Sequence, residues 1–153
     1  MTIVAALDFS SVTDRVFETA AGLADSLKAR IVLLHVVQPS EIGGASDASH
    51  DAVDAAVAAA EQSATKRIAR YEKRMQLDKL NGSVMMLRGA PVPQIVDWTV
   101  KLHASLLIMG SHGQAGVSGR LVGATIEGIL HKAPCPVVVV PHPKASRTRP
   151  PWI

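Results

Sequence analysis

The residues best suited to chemistry form a glycine-rich segment that begins at Met109–Gly113 and ends at Gly123–Thr125. It follows the apolar run Leu106–Ile108 and precedes a helix-like segment over residues 126–132. Glycine lets a backbone approach a ligand closely and adopt positive φ, and successive amides in such a turn can form one anion-binding concavity. A following helix adds free N–H groups and the positive end of its dipole. The segment therefore predicts a phosphate-binding loop between a strand and a helix.

An acidic residue, Asp8, ends the first apolar run, Thr2–Leu7. In open parallel sheets, ligands bind beyond the carboxyl ends of the strands, where the strand order reverses. If the first and fourth strands are neighbours, Asp8 faces the glycine loop across one crevice. Asp8 would then accept hydrogen bonds from a base or ribose, because a carboxylate aimed at a phosphate would repel it. The phosphates would lie on the amides of Gly110, Gly113, Gly123, Ala124 and Thr125.

The other reactive side chains match no catalytic or metal-binding pattern as closely as the glycine-rich segment matches a phosphate-binding loop. His35 lies in an apolar run, where a buried structural histidine is a commoner interpretation than a ligand. Ser111 and His112 are sequence neighbours, which rarely face one another as nucleophile and base, and no G-x-S-x-G turn is present. The six histidines show no metal-ligand spacing such as H-E-x-x-H. Cys135 stands between prolines and is interpreted as structural.

Apolar periodicity predicts five strands that alternate with four helices, which is typical of an α/β fold with a parallel sheet. Short apolar runs suit strands that are covered on both faces. The segment 8–11 contains the N-cap candidates for the first helix. The predicted strands are Thr2–Leu7, Ile31–Val37, Ser83–Leu87, Ser105–Met109 and Val137–Val140, and the predicted helices run over 12–27, 51–77, about 91–102 and 126–132.

Composition narrows the class of protein. The 153 residues are 48% hydrophobic and 19% charged, which suits one domain with one core. The net charge of +3 comes from the tail, since removing its three cations leaves 13 basic against 13 acidic residues. A neutral body argues against a broad nucleic-acid surface, so the basic second half of the long helix is interpreted first as a solvated face. The tail cations are Lys144, Arg147 and Arg149, and those of the helix are Lys66, Arg67, Arg70, Lys73 and Arg74.

A single cysteine excludes an intramolecular disulfide and suits a reducing compartment. The amino-terminal residues lack the basic segment of a secretory signal. No apolar stretch reaches the roughly 20 residues that span a bilayer. We therefore expect a cytoplasmic protein without a membrane partner.

Five segments, in order and spacing, resemble the universal stress protein family. They read IVAALDFS, IVLLHVV, GAPVPQI, LLIMGSHG and HKAPCPVVVVP, and together they extend over nearly the whole chain. ATP-binding members of that family carry G-x2-G-x9-G-[ST]. Here Gly110, Gly113 and Gly123 fit the pattern, whereas Ala124 stands at the Ser/Thr position.

The resemblance implies a three-layer α/β fold with an open parallel five-stranded sheet of order 3-2-1-4-5 and helices on both faces. It implies one nucleotide-binding domain over residues 1–141, followed by a Pro/Arg-rich tail over 142–153. It also implies a homodimer through the fifth strand, Val137–Val140. The residues point the same way, because a bare all-valine edge is an aggregation hazard unless it is paired.

By the same resemblance the chain binds ATP or AMP, with Mg²⁺ as a companion ion of ATP, and hydrolyses it little or not at all. An alternative is a nucleotide-free dimeric module that acts through partner proteins, since Ala124 removes a phosphate-binding hydroxyl. A third interpretation, a small nucleotidyl-transfer or flavodoxin-like enzyme, is disfavoured for flavin by the 3% aromatic content. The implied site residues are Ala6, Leu7, Asp8, Val36, Met109, Gly110, His112, Gly113, Gly123, Ala124 and Thr125.

Overall fold

Strands and helices alternate along the chain. The computed structural model describes residues 1–38, 50–111 and 123–142. Its elements are β1 Thr2–Ala6, α1 Thr13–Leu27, β2 Arg30–Val37, α2 His50–Leu77, β3 Gly82–Arg88, α3 Pro91–Lys101, β4 Leu106–Gly110, α4 Ala124–Leu130 and β5 Val137–Val140.

The strands form one parallel sheet in the order β3-β2-β1-β4-β5, which confirms the predicted fold. β1 lies at the centre, with Ala5 paired to Leu33 of β2 on one side and to Ile108 of β4 on the other. The chain winds outward from β1 to β3, and then returns to add β4 and β5 on the opposite side. The strand order therefore reverses between β1 and β4.

Both faces of the sheet are buried, which explains the continuous apolar runs of its strands. Alternate side chains of a strand point to opposite faces. Ile3 and Ala5 accordingly pack with α1 and α2, whereas Val4 packs with α3 and α4. The two helical layers and the sheet make the three expected layers. Within the described ranges, no helix is both long and apolar enough to cross a membrane.

Two helix starts differ from the predictions. α1 begins at Thr13, and its N-cap residue is Val12, which has no capping side chain, so the predicted caps at 8–11 are wrong. Those residues instead shape the loop before the helix. α4 begins at Ala124 rather than 126, because Gly123 is extended, at φ −75° and ψ 158°, and serves as the N-cap. It also ends at Leu130, and the chain then turns through His131 and Lys132.

Three arginines of α2 contact neighbouring elements. Arg70 Nη2 lies 3.4 Å from Asp14 Oδ1, and Arg74 Nη2 lies 3.9 Å from Glu18 Oε1, both on α1. Arg67 donates to a main-chain oxygen of the β1–α1 loop. These contacts give the basic half of α2 a role in fixing α1 and the loop, which the interpretation as a solvated face did not include. Such exposed pairs contribute little each, typically about 0–1 kcal/mol.

Candidate functional site

The loops after β1 and β4 leave the sheet side by side. Ala6 pairs with Met109 at the carboxyl ends of these strands, so both loops emerge at one edge. This edge lies at the point where the strand order reverses, which is where open α/β sheets form their ligand crevices. The neighbouring strands that the predicted crevice requires are therefore present.

An apolar wall lines the strand ends on the α3 and α4 side. Ala6 and Val36 are half-buried, and Met109 is 5% exposed. All three belong to the cluster that packs on this side of the sheet. A wall of this kind suits the face of a base, because small-molecule sites are mostly apolar with a few placed polar groups.

Leu7 differs from these residues. Its side chain packs on the opposite side of the sheet, and its amide donates to Leu34 O at 2.8 Å. Its carbonyl accepts a hydrogen bond from His35 Nδ1 at 2.7 Å. Leu7 therefore anchors the start of the loop to β2.

Asp8 organises its own loop. Its Oδ1 accepts hydrogen bonds from Ser10 N at 2.9 Å and from Thr13 Oγ1 at 3.2 Å. The first of these bonds forms an Asx turn, and the second ties the carboxylate to the first residue of α1. The structure thus shows a local role for Asp8 that sequence reasoning did not include.

The Ser10 hydroxyl is a polar group that sequence reasoning considered only as a cap. Among the described residues, Ser10 Oγ is the buried side-chain oxygen or nitrogen without a hydrogen-bond partner. Leaving a buried polar group unsatisfied costs about 1–3 kcal/mol. Ser10 lies two residues beyond Asp8, so this hydroxyl without a partner among the described residues belongs to the loop that flanks the crevice.

Gly110 is required for packing. A Cβ at this position would meet the Cγ1 atom of Val12, which is fully buried at the start of α1. The Cγ2 atom of Val16 would lie 3.6 Å away. The glycine therefore lets α1 approach the end of β4, and this explains its type without any ligand.

The described ends of the glycine loop are tied together. Ser111 is 5% exposed, and its carbonyl accepts a hydrogen bond from Gly123 N at 3.1 Å, so this amide is engaged within the chain and not directed at a phosphate as expected. Ala124 and Thr125 are the first residues of α4, whose leading amides have no acceptor within the helix. His112 and Gly113 lie outside the described residues.

Behind the Asp8 loop lies a stack of three side chains. Phe9 has φ 59°, which is unusual for a bulky residue. Its ring centroid lies 4.3 Å from that of His35, and Arg67 Cζ lies over the ring, 4.5 Å from its centroid. Arg67 Nη2 also donates to Phe9 O at 2.6 Å. The strained turn is thus braced from β2 and from α2.

Burial lowers the pKa of His35, and the charge of Arg67 lowers it further, although the Leu7 carbonyl and Asp8 oppose both effects. The folded protein therefore holds His35 neutral at a pH where the unfolded chain has bound a proton. Its contribution to stability is fully present above the unfolded pKa of 6.5 and is lost as the pH falls through the folded value.

We expect the free energy of unfolding to decline as the pH falls below 6.5. His35 contributes to this slope by taking up at most one proton when the chain unfolds. His35→Asn keeps a donor for Leu7 O but cannot titrate, so its pH profile should be flatter. Urea unfolding of wild type and His35→Asn between pH 5 and 8 measures this pH dependence. Parallel profiles for the two proteins would contradict the contribution assigned to His35.

Cys135 is half-buried among the residues on the α3 and α4 side. Burial raises the pKa of its thiol, so it stays protonated near neutral pH, as a structural cysteine does. In residues 1–38, 50–111 and 123–142, no group of three or more His, Cys, Asp or Glu side chains could hold a metal ion.

Comparisons with known proteins agree with this architecture. A universal stress protein of Methanocaldococcus jannaschii is 29% identical over 143 residues, which cover 93% of this chain and 82% of that protein. The solved structure of a universal stress protein from Lactobacillus plantarum superimposes with a TM-score of 0.75 at 21% identity, over 92% and 97% of the two chains. A universal stress protein from Archaeoglobus fulgidus, solved in complex with dAMP, matches with a TM-score of 0.64 at 19% identity, over 92% and 97%.

The model of the universal stress protein family matches residues 1–141, which include the nine elements of the described part of the chain and end directly after β5. Together with the strand order of the sheet, this match shows that the chain belongs to the universal stress protein family.

Proposed function

We propose that the chain binds an adenine nucleotide, ATP or AMP, in the crevice between the β1 and β4 loops and hydrolyses it little or not at all. The observation that carries the proposal is the pairing of Ala6 with Met109, which sets the two loops side by side at the point where the strand order reverses. The proposed contacts are Ala6, Leu7, Asp8, Val36, Met109, Gly110, His112, Gly113, Gly123, Ala124 and Thr125.

The residues of the crevice fit such a ligand. Ala6, Val36 and Met109 offer an apolar surface to the base. The amides of Ala124 and Thr125 are main-chain donors that suit a phosphate. Ser10 Oγ, buried and without a partner among the described residues, would gain one from the ligand.

Two related structures support an adenine nucleotide as the ligand class. The Archaeoglobus fulgidus protein above was solved in complex with dAMP. Another universal stress protein, with a TM-score of 0.63, was solved in complex with cAMP. Both are 19–20% identical to this chain, so they support the ligand through a shared fold.

Slow turnover is expected because the proposed contacts in the glycine loop include no carboxylate to act as a general base for water or to hold Mg²⁺. Asp8 is engaged in its own turn, and Mg²⁺ would be carried by the phosphates of ATP. Ala124, which has no hydroxyl for a phosphate, favours the alternative of a nucleotide-free module acting through partner proteins. Binding measurements separate the two.

Titration calorimetry with AMP and with ATP plus Mg²⁺ tests the proposal. At about 100 times its dissociation constant, a ligand adds ~2.7 kcal/mol to the free energy of unfolding, which a thermal melt records independently. No binding at millimolar nucleotide would favour the partner-protein alternative. Steady turnover at about 1 per second or more would indicate an ordinary enzyme instead.

Ser10→Ala should affect the stability of the free protein and its affinity for nucleotide in opposite directions. Removing an unsatisfied buried hydroxyl should leave the free protein equally stable or stabilise it by up to about 1–3 kcal/mol. The same change should weaken nucleotide binding, because the ligand loses that contact. The main-chain bond from Ser10 N to Asp8 is retained in the variant. Unchanged affinity in Ser10→Ala would show that this hydroxyl does not face the ligand.

We also propose a homodimer through β5, which lies at the edge of the sheet. Leu107 N bonds to Pro136 O and Ser111 N to Val140 O, so the even-numbered residues of this segment face β4. The main-chain groups of Val137 and Val139 therefore face outward. Such an edge is paired by a second copy in many oligomers.

Val139→Pro should convert the dimer to a monomer while the fold is retained, because proline removes an outward N–H and no ladder bond to β4. Val139→Thr keeps that N–H and the β-branched shape, and it should stay dimeric. Light scattering at micromolar concentration gives the mass of each variant. A wild-type monomer, or a dimeric Val139→Pro, would overturn the assignment to this edge.

A further inference from the structure

The chain crosses the carboxyl edge of the sheet directly after β5. Arg15 Nη1, on the first turn of α1, donates to Pro141 O at 2.6 Å. This bond holds the segment next to the β1–α1 loop. Pro141 and His142 together are called the clasp below.

His142 joins the two loops of the crevice. Its Nε2 and Ser11 Oγ lie 2.6 Å apart and share a hydrogen bond, which connects it to the loop after β1. Its main-chain amide donates to Ser111 Oγ at 3.0 Å, which connects it to the loop after β4. One residue therefore bridges the loop after β1 and the start of the loop after β4.

Ser111 links His142 by hydrogen bonds to the carboxyl-terminal end of the glycine loop. Its amide donates to Val140 O at 2.8 Å, and its carbonyl accepts from Gly123 N at 3.1 Å. Gly123 is the N-cap residue of α4. A continuous path of hydrogen bonds thus leads from Ser11 through His142 and Ser111 to Gly123, the residue directly before the proposed phosphate-binding amides of α4.

We propose that His142 is a positioning residue for nucleotide binding: its imidazole fixes the distance between the Asp8 loop and the start of α4. The inference rests on the proposed function, since it assigns a role at the same crevice. Both Ser11 and His142 are exposed, so their hydrogen bond adds little to global stability. Its effect is on preorganisation, which lowers the ordering cost of binding.

A double-mutant cycle tests the bond directly. Ser11→Ala and His142→Ala should each weaken AMP binding by about two- to tenfold, the range expected for one hydrogen bond. The double variant should lose no more than either single one, because both changes remove the same contact. His142→Gln, whose amide can reach Ser11, should recover affinity. His131→Ala, an exposed histidine at the end of α4, is the matched control and should bind as wild type does.

Amide hydrogen exchange without nucleotide gives an independent measurement. His142→Ala should speed the exchange of Gly123 N, whose bond to Ser111 depends on the clasp, while Lys28 N at the opposite edge keeps its wild-type rate. If exchange is faster in His142→Ala but the wild type binds no nucleotide, the structural role of the clasp would stand and the proposed ligand would be rejected. Unchanged exchange, or losses that add in the double variant, would overturn the role of His142.

Discussion

Gly110→Ala is expected to lower the free energy of unfolding by about 1–3 kcal/mol, the usual cost of inserting a methyl group into a packed core. The added Cβ would meet Val12 Cγ1, and Val12 is fully buried against the end of β4. A β-branched side chain has little rotamer freedom with which to move aside. Chemical denaturation of the purified variant measures the loss.

Two further variants show that the loss comes from this contact. Val12→Ala/Gly110→Ala should be more stable than the sum of the two single changes predicts, because the smaller side chain makes room for the new methyl group. Gly22→Ala adds the same methyl at an exposed site in α1 with nothing within 4 Å, and should stabilise by about 0.5–1 kcal/mol. Additive losses at Val12 and Gly110 would contradict the packing explanation.

Ala124→Ser is expected to tighten nucleotide binding by about tenfold or more, because a hydrogen bond to a charged group contributes roughly 1.5–3 kcal/mol. Ala124 is exposed at the first position of α4, so the new hydroxyl can reach a phosphate without repacking the core. Titration calorimetry with AMP and ATP compares the variant with wild type.

The matched pair Ala124→Thr and Ala124→Val separates the hydroxyl from side-chain volume. The two side chains have nearly the same shape, but threonine alone carries a donor. The proposal requires tighter binding for threonine and no gain for valine. Equal affinities for the pair would mean that position 124 does not contact a phosphate.

Local patterns were sufficient to predict the elements of the fold. Runs such as Ile31–Val37 are apolar without alternation because both faces of the sheet are covered. The order of the strands could not be predicted in this way, because periodicity does not reveal which strands are neighbours. It was predicted from the resemblance to the universal stress protein family. The cap of α1 was misjudged because Val12, which has no capping side chain, stands at the N-cap, whereas the Asp8 carboxylate accepts hydrogen bonds from Ser10 N and Thr13 Oγ1.

Much of the candidate site could be named from residue type, since an acid after β1 and glycines after β4 are visible in the sequence. The contributions of Ser10, Val12 and His142 were missed as site features because they depend on tertiary contacts. Val12 explains Gly110 only once α1 lies on β4. His142 is 131 positions from Ser11, and no local signal links the two. His112 and Gly113 remain predictions.

Amide chemical-shift mapping by NMR is the sharpest test of a nucleotide site between the β1 and β4 loops, because it locates the ligand as well as detecting it. On titration with AMP, we expect saturable shifts for the amides of Asp8, Gly123, Ala124 and Thr125. The amides of Lys28 and Asn81, at the opposite edge of the sheet, should keep their positions. Saturable shifts confined to any other surface, or none at millimolar AMP, would contradict a nucleotide site between the β1 and β4 loops.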